Sequence, residues 1–256
     1  MTGPGGDGVG ETLRFQVCGP VAVTVGGRRV EGELPGRQGR VLLAHLVVHR
    51  LRPADRDQLF ADLWPAGPPS GADQALRSLL SRIRKAIGAD LVAGRDAPHL
   101  VLPPDAFVDL EAAHAGLHRA EAAVAAGDWA RGWAPARIAL HTADRGFLSG
   151  EDAPWIDDAR RDLDAIRVRA LECVAAIGLG MGGGELASAE RSGRRLTELA
   201  PFRESGHRIL MEALAANGNR AEALLVHDRL RVLLRDELGI PPGPEVQAVH
   251  ARLLGD

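Results

Sequence analysis

The chain has 256 residues, 45% of them apolar, which is enough to build one or two cores of ordinary size. Cys18 and Cys173 are its only cysteines, one in each half, which excludes a disulfide framework and a cysteine-rich zinc site. The net charge is −3, yet residues 1–104 hold 13 Lys and Arg against 10 Asp and Glu, whereas residues 105–256 hold 18 against 24. This asymmetry indicates that the N-terminal part of the chain, residues 1–104, binds a polyanion and that the C-terminal part does not.

The first twelve residues are polar and rich in glycine, so we expect them to be disordered and not a signal peptide. No apolar run approaches the roughly 20 residues that a membrane span needs. We therefore expect a soluble, cytoplasmic protein with no membrane partner.

Residues 13–30 predict a small antiparallel sheet, because LRFQVCG and VAVTV alternate and Gly26-Gly27 is typical of a hairpin turn into RRV. Helices are predicted over residues 37–49 and 56–63. Asp55 is placed to cap the second of these helices, and PAGPPSG then predicts a loop.

The stretch ADQALRSLLSRIRKAIG, residues 72–88, is the most informative part of the chain. Its apolar residues recur every three or four positions, which predicts one buried face on a helix; they are Leu76, Leu79, Leu80, Ile83 and Ile87. The other face is cationic and includes Lys85, the only lysine of the chain. A short hairpin is predicted next, with strands at 91–93 and 100–102 and a turn near 96–98. This order is typical of a DNA-recognition helix with its wing; the alternative is an ordinary amphipathic helix with a solvated charged face.

Pro103-Pro104 predicts a boundary, after which the chain is predicted to be helical throughout. The predicted helices span 109–126, 128–142, 154–181, 185–199, 203–216, 220–238 and 244–254. Gly184 and Gly218 are 34 residues apart, as are Ala189 and Ala223. A period of 34 with small residues near the helix starts is typical of tetratricopeptide (TPR) packing. The predicted fold is therefore mainly α with a small β component: a winged helix-turn-helix with an N-terminal antiparallel sheet and a wing hairpin at 13–104, then a TPR-like all-α domain at 105–256.

Several stretches together resemble the antibiotic regulatory protein (SARP) family of bacterial transcriptional activators. They are FQVCGPVAVTVGGRRV, GRQGRVLLAHLVVHRLRPADRDQLFADLWP, the helix at 72–88, GDWARGWAPARIAL and, most distinctively, DELGIPPGPEV. That family joins an OmpR/PhoB-type winged helix to a bacterial transcriptional activation domain (BTAD) of TPR-like helices. The chain departs from it at Pro98-His99, where the family usually has Gly-Tyr, and at Gln74-Ala75, near the start of the recognition helix. It resembles the short members of the family, which lack further domains.

The resemblance implies a sequence-specific activator that binds double-stranded DNA at promoter direct repeats, self-associates there, recruits RNA polymerase and controls an antibiotic gene cluster. With Leu76, Leu80 and Ile83 facing the core, four side chains are predicted to face the floor of the major groove: Gln74, Arg77, Ser78 and Ser81. Those predicted to lie near phosphates are Arg82, Arg84 and Lys85, and Arg95 is predicted at the wing tip.

Enzyme motifs are absent from the sequence, which has no Walker loop, HExxH or GxSxG. His114 and His118 are one helical turn apart but have no third ligand at a convincing spacing. We therefore expect no catalytic residue, no cofactor and no metal. Two alternatives to an activator stay open: a protein-interaction scaffold that has lost DNA binding, and a regulator that senses a small molecule in the repeat groove.

Overall fold

The computed structural model describes residues 13–52 and 55–255. The disorder expected for the first twelve residues lies outside this part of the chain. The chain forms two compact units. One comprises the residues up to Ala112 together with Arg145–Leu163, and the other comprises Ala113–Asp144 and Asp164–Asp256. In the described residues the fold is mainly α with a small β component, as predicted.

The first unit begins with the predicted antiparallel sheet, formed by β1 (Arg14–Gln16), β2 (Ala22–Val25) and β3 (Arg28–Arg29). Gly26 and Gly27 both have positive φ, 56° and 77°, which the tight turn between β2 and β3 requires. A later strand, β6 (Phe107–Val108), pairs in parallel with β1 on the other edge. This parallel edge was not predicted, because a two-residue strand is too short to show an alternating pattern.

Three helices follow the first three strands: α1 (Gly36–Val48), α2 (Arg56–Leu63) and α3 (Ala72–Ile87). Asp55 caps α2 as predicted, because its side chain accepts a hydrogen bond of 2.9 Å from the backbone N–H of Gln58. The wing is an antiparallel pair, β4 (Val92–Ala93) and β5 (His99–Leu100), in which each strand is shorter than predicted.

Residues 145–163 complete the first unit although they lie far along the chain. The Trp155 indole N–H donates to the backbone oxygen of Asp62 at 3.3 Å. Arg160 donates to the backbone oxygens of Phe147, Leu148 and Glu151, at 3.2, 3.0 and 2.6 Å. These bonds hold a turn in which Leu148 has a φ of 41°, a conformation that L side chains rarely adopt.

A buried carboxylate joins the parts of the first unit. Asp109 accepts hydrogen bonds from the backbone N–H groups of Val17 and Cys18, at 3.0 and 3.1 Å, and from Arg145 Nη2 at 2.8 Å. A buried carboxylate needs such partners to offset its lost hydration. Asp109 thereby ties the end of β1 to the segment that starts at Arg145.

The remaining helices are α4 (Asp109–Ala125), α5 (Trp129–Asp144), α6 (Pro154–Met181), α7 (Leu186–Leu199), α8 (Glu204–Ala216), α9 (Arg220–Leu238) and α10 (Pro244–Gly255). All seven predicted helices are confirmed, α6 and α9 with the predicted bounds.

Helices of the second unit approach one another closely at small residues. Ala189 and Ala223, which the 34-residue spacing relates, are both fully buried. A Cβ placed on Gly178 would lie 3.2 Å from the Ala189 Cβ, and one on Gly193 would lie 3.1 Å from the Leu210 Cβ. This close packing of successive helices confirms the predicted repeat architecture.

Candidate nucleic-acid interface

Helix α3 has one buried and one exposed face, as its sequence predicts. Its aliphatic side chains are buried at the predicted positions; they are Leu76, Leu79, Leu80, Ile83 and Ile87. Asp73 lies in the first turn and Arg84 and Lys85 in the last, so these charges complement the helix dipole. The helix ends at Ile87 and is followed by Gly88, whose φ of 121° favours glycine. The apolar face thus fixes which side chains face outward.

The outward side chains include most of the predicted site. Exposed on α3 are Gln74, Arg77, Ser78, Ser81, Arg82 and Lys85, and Arg95 is exposed in the turn of the wing. The Arg77 Nε donates to the backbone oxygen of Asp73 at 3.2 Å, which leaves its two terminal nitrogens free of that bond. Throughout residues 13–52 and 55–255, no carboxylate forms an ion pair with Arg77, Arg82, Lys85 or Arg95. The exposed face of α3 is therefore cationic and not neutralised from within these residues.

Arg84 has a different position from the other cations of α3. It is half-buried, and it donates from Nε to the backbone oxygen of Val92 at 3.1 Å and from Nη2 to that of Gly94 at 3.4 Å. The two acceptors lie in the first strand of the wing and at the start of its turn. The sequence predicts a phosphate contact for Arg84, and the structure adds a role in holding the wing against α3.

Gly94 starts the turn of the wing and allows it to be tight. Its φ is 76°, and a Cβ at this position would lie 2.1 Å from the backbone oxygen of Ala97. The same oxygen lies 3.0 Å from His99 Nδ1. His99 therefore stabilises the turn at the position where the chain departs from the family.

Arg56, in the first turn of α2, is a residue that sequence reasoning missed. It forms an ion pair with Asp73 at the start of α3 and another, at 3.6 Å, with Asp96 in the turn of the wing. These two carboxylates flank the cationic face and would repel phosphates. Arg56 offsets both charges and links α2, α3 and the wing, but nothing in the local pattern of the sequence shows such long-range pairs.

A polar cluster lies in the core of the first unit. His45 Nε2 is 2.8 Å from Asp62 Oδ2, and the rings of His49 and Trp155 lie 4.4 and 5.0 Å from the His45 ring. Gln58 donates to the other oxygen of Asp62 at 3.0 Å. Burial, with a smaller contribution from His49, lowers the pKa of His45 to about 4. His45 is therefore neutral near pH 7 and joins α1 to α2, the helices that precede α3.

A small sheet, three helices and a wing define a winged helix-turn-helix protein, here continued by paired helices. The chain belongs to the bacterial transcriptional activator domain family, whose model matches residues 108–254. The predicted resemblance to antibiotic regulatory proteins is confirmed.

Two regulators are similar to almost the whole chain. The regulatory protein AfsR of Streptomyces griseus is 32% identical over 244 residues, which cover 95% of this chain and 25% of AfsR. The transcriptional regulatory protein EmbR of Mycobacterium tuberculosis is 30% identical over 263 residues, which cover 96% of this chain and 64% of EmbR. The chain thus spans about a quarter of the length of AfsR.

A solved structure has a similar fold. It is Mycobacterium tuberculosis EmbR in complex with a low-affinity phosphopeptide, which matches with a TM-score of 0.80 and 28% identity over 95% of this chain and 65% of EmbR. The relatives are named as regulators and not as enzymes. Among the helices of the described residues, none combines the length and apolar character needed to cross a membrane.

Proposed function

We propose that the chain is a sequence-specific DNA-binding transcriptional activator. One observation carries the proposal: α3 presents Arg77, Arg82 and Lys85 on an exposed face, while its apolar face is locked into the core. The names of the relatives, which are transcriptional regulators, support the same function.

The polar residues of α3 suit direct recognition of bases. In a winged helix-turn-helix, the third helix lies in the major groove and its exposed side chains reach the base edges. Gln74, Arg77, Ser78 and Ser81 are all exposed along this face. The terminal nitrogens of Arg77 suit a bidentate contact to guanine O6 and N7, which contributes about 1–3 kcal/mol of discrimination.

The remaining cations suit the phosphates. Arg82 and Lys85 lie toward the end of α3, and Arg95 lies in the exposed turn of the wing. Contacts to phosphates position the protein and supply affinity that does not depend on sequence. In this arrangement Arg84 acts mainly as a positioning residue, because its guanidinium holds the wing that presents Arg95.

One winged helix offers few contacts, so tight binding requires more than one copy. Two copies on direct repeats roughly 10–10.5 base pairs apart would lie on the same face of the DNA and self-associate there. The helical-repeat unit would then contact RNA polymerase. On the resemblance to antibiotic regulatory proteins, we propose that the regulated genes form an antibiotic biosynthetic cluster.

Binding to the DNA upstream of the gene and its neighbours tests this function. We expect footprints on direct repeats and an affinity that falls steeply as salt rises, because phosphate contacts release counterions. Arg77→Ala should relax base preference by about tenfold or more, Arg82→Ala should reduce the salt slope by about 1, and Arg84→Ala should weaken binding to all sequences alike.

Arg229→Ala is the matched control, because Arg229 is exposed on α9 and forms no ion pair within the described residues. It should leave DNA binding unchanged. Binding that does not respond to salt, or equal losses of preference in Arg77→Ala and Arg84→Ala, would contradict the proposed orientation of α3. No DNA binding at all would favour the interaction scaffold.

A further inference from the structure

Helix α5 is packed tightly on one side only. Gly132, Ala136 and Ala139 are buried along its inner face. A Cβ on Gly132 would lie 2.9 Å from Ile177 Cδ1 of α6, and a Cβ on Gly116 of α4 would lie 3.0 Å from the backbone oxygen of Pro135. Such close approach leaves α5 little freedom to move against α4 and α6. The helix is therefore a rigid element with one free side.

The free side of α5 combines small, apolar and cationic side chains. We call it the α5 outer face, and it consists of the exposed residues Ala130, Arg131, Ala134, Arg137, Ile138 and His141 together with the half-buried Trp133. Helical periodicity places Ala130 and Ala134 along its middle, with Arg131 and Ile138 on one flank and Trp133 and Arg137 on the other. Ile138 is 49% exposed. The Arg137 guanidinium lies 5.5 Å from the centre of the Trp133 ring. The face thus has small side chains along its middle and a cationic and an apolar side chain at each edge.

The charge of this face is not neutralised by the described part of the chain. Residues 129–143 contain no Asp or Glu. Elsewhere in the second unit arginines are often paired: Arg195 binds both oxygens of Asp144, and Arg169 binds both oxygens of Glu121. Within residues 13–52 and 55–255, neither Arg131 nor Arg137 has such a partner. A carboxylate from another molecule would supply it.

We propose that the α5 outer face binds an acidic amphipathic helix of a partner protein. Small residues along the middle let another helix approach closely, as in other helix-in-groove complexes. Arg131 and Arg137 can each bind a carboxylate in a bidentate manner, and the cation–π contact with Trp133 holds Arg137 in place for it. Trp133 and Ile138 can cover the apolar stripe of the partner.

The chemistry of the face distinguishes it from that of α3. The exposed neutral residues of α3 are Gln74, Ser78 and Ser81, which suit base edges, whereas α5 exposes Ile138 and alanines, which suit an apolar ligand surface. The proposal deepens the partner side of the proposed function, since an activator needs a protein target, but it does not depend on the contacts of α3.

A designed helical peptide of about 18 residues, roughly five turns, tests the proposal. It carries Leu along one face with Glu on both flanks, and a matched peptide has Lys in place of each Glu. The full chain should bind the Glu peptide at least about tenfold more tightly than the Lys peptide, and salt should weaken the binding. Arg137→Glu should reduce affinity for the Glu peptide about tenfold or more, whereas Arg229→Glu, the control on α9, should not.

Both variants should keep the thermal unfolding and the DNA affinity of the wild type, while Arg77→Ala should lose DNA preference and keep peptide binding. Failure of this proposal is thereby separated from failure of the proposed function. Equal binding of the two peptides, equal losses in Arg137→Glu and Arg229→Glu, or competition by a single-stranded oligonucleotide would overturn it. Self-association of the chain that Arg137→Glu abolishes would also overturn it, because the occupant would then be a second copy.

Discussion

Helices α3 and α5 each bury one face and expose arginines on the other, but they are built from different residues. The inner face of α3 consists mainly of large aliphatic side chains such as Leu80 and Ile83, whereas that of α5 consists of small residues, glycine and alanine with Thr142. On the outer faces, the neutral side chains between the cations are polar on α3 and apolar on α5. The two proposed ligands therefore differ because of the neutral residues between the charges and not because of the positive charge itself.

A substitution on the inner face of α3 should cause the largest loss of stability. Ile83 is fully buried, so Ile83→Ala leaves a cavity and should lower the free energy of unfolding of the first unit by about 2–5 kcal/mol. Chemical denaturation, followed by tryptophan fluorescence, measures this. Arg82→Ala on the outer face of the same helix is the control and should change stability by less than about 0.5 kcal/mol. Similar losses in the two variants would contradict the assignment of the faces.

Acid should lower the stability of the first unit through His45, which joins α1 to α2. Since the pKa of His45 is lowered to about 4, the folded state disfavours its protonation. The stability that His45 contributes is complete above its unfolded pKa of about 6.5 and is lost as the pH falls toward 4, by up to roughly 3 kcal/mol. Denaturation at pH 7 and pH 4.5 measures the loss. His45→Gln, which can still donate to Asp62, should show a smaller difference between the two pH values; an unchanged difference would contradict this origin.

A larger side chain on the inner face of α5 should destabilise the second unit. Ala136 is fully buried against packed helices, so Ala136→Leu should destabilise the second unit by about 1–3 kcal/mol through overpacking. Ala134→Leu, at an exposed position of the same helix, should leave stability nearly unchanged. Thermal unfolding of both variants measures the contrast, and a loss confined to Ala134→Leu would reverse the proposed orientation of α5.

Local patterns in the sequence predict the helices well. Large aliphatic residues at helical spacing define α3, and the Asp55 cap and the bounds of α9 follow from the same short-range rules. Contacts between distant segments leave no such pattern. The parallel pairing of β6, the ion pairs of Arg56 and the bonds from Arg84 to the wing all depend on how elements meet in space.

In the candidate site, too, local patterns predict some features and contacts between distant segments decide the others. The exposed positions of Gln74, Arg77 and Arg82 can be predicted from periodicity, because burial of one helical face decides them. The half-buried position of Arg84 cannot, since it depends on where the wing folds back.

Asp109, Arg145 and Trp155 all contribute to the first unit, although they follow the wing in the chain. Proteins emerge from the ribosome N-terminal end first. Helix α3 is therefore synthesised well before the residues that complete its own unit. A fragment cut after Pro104 would lack these residues and expose the surfaces they cover, so a fragment that contains the whole first unit has to extend at least to Leu163.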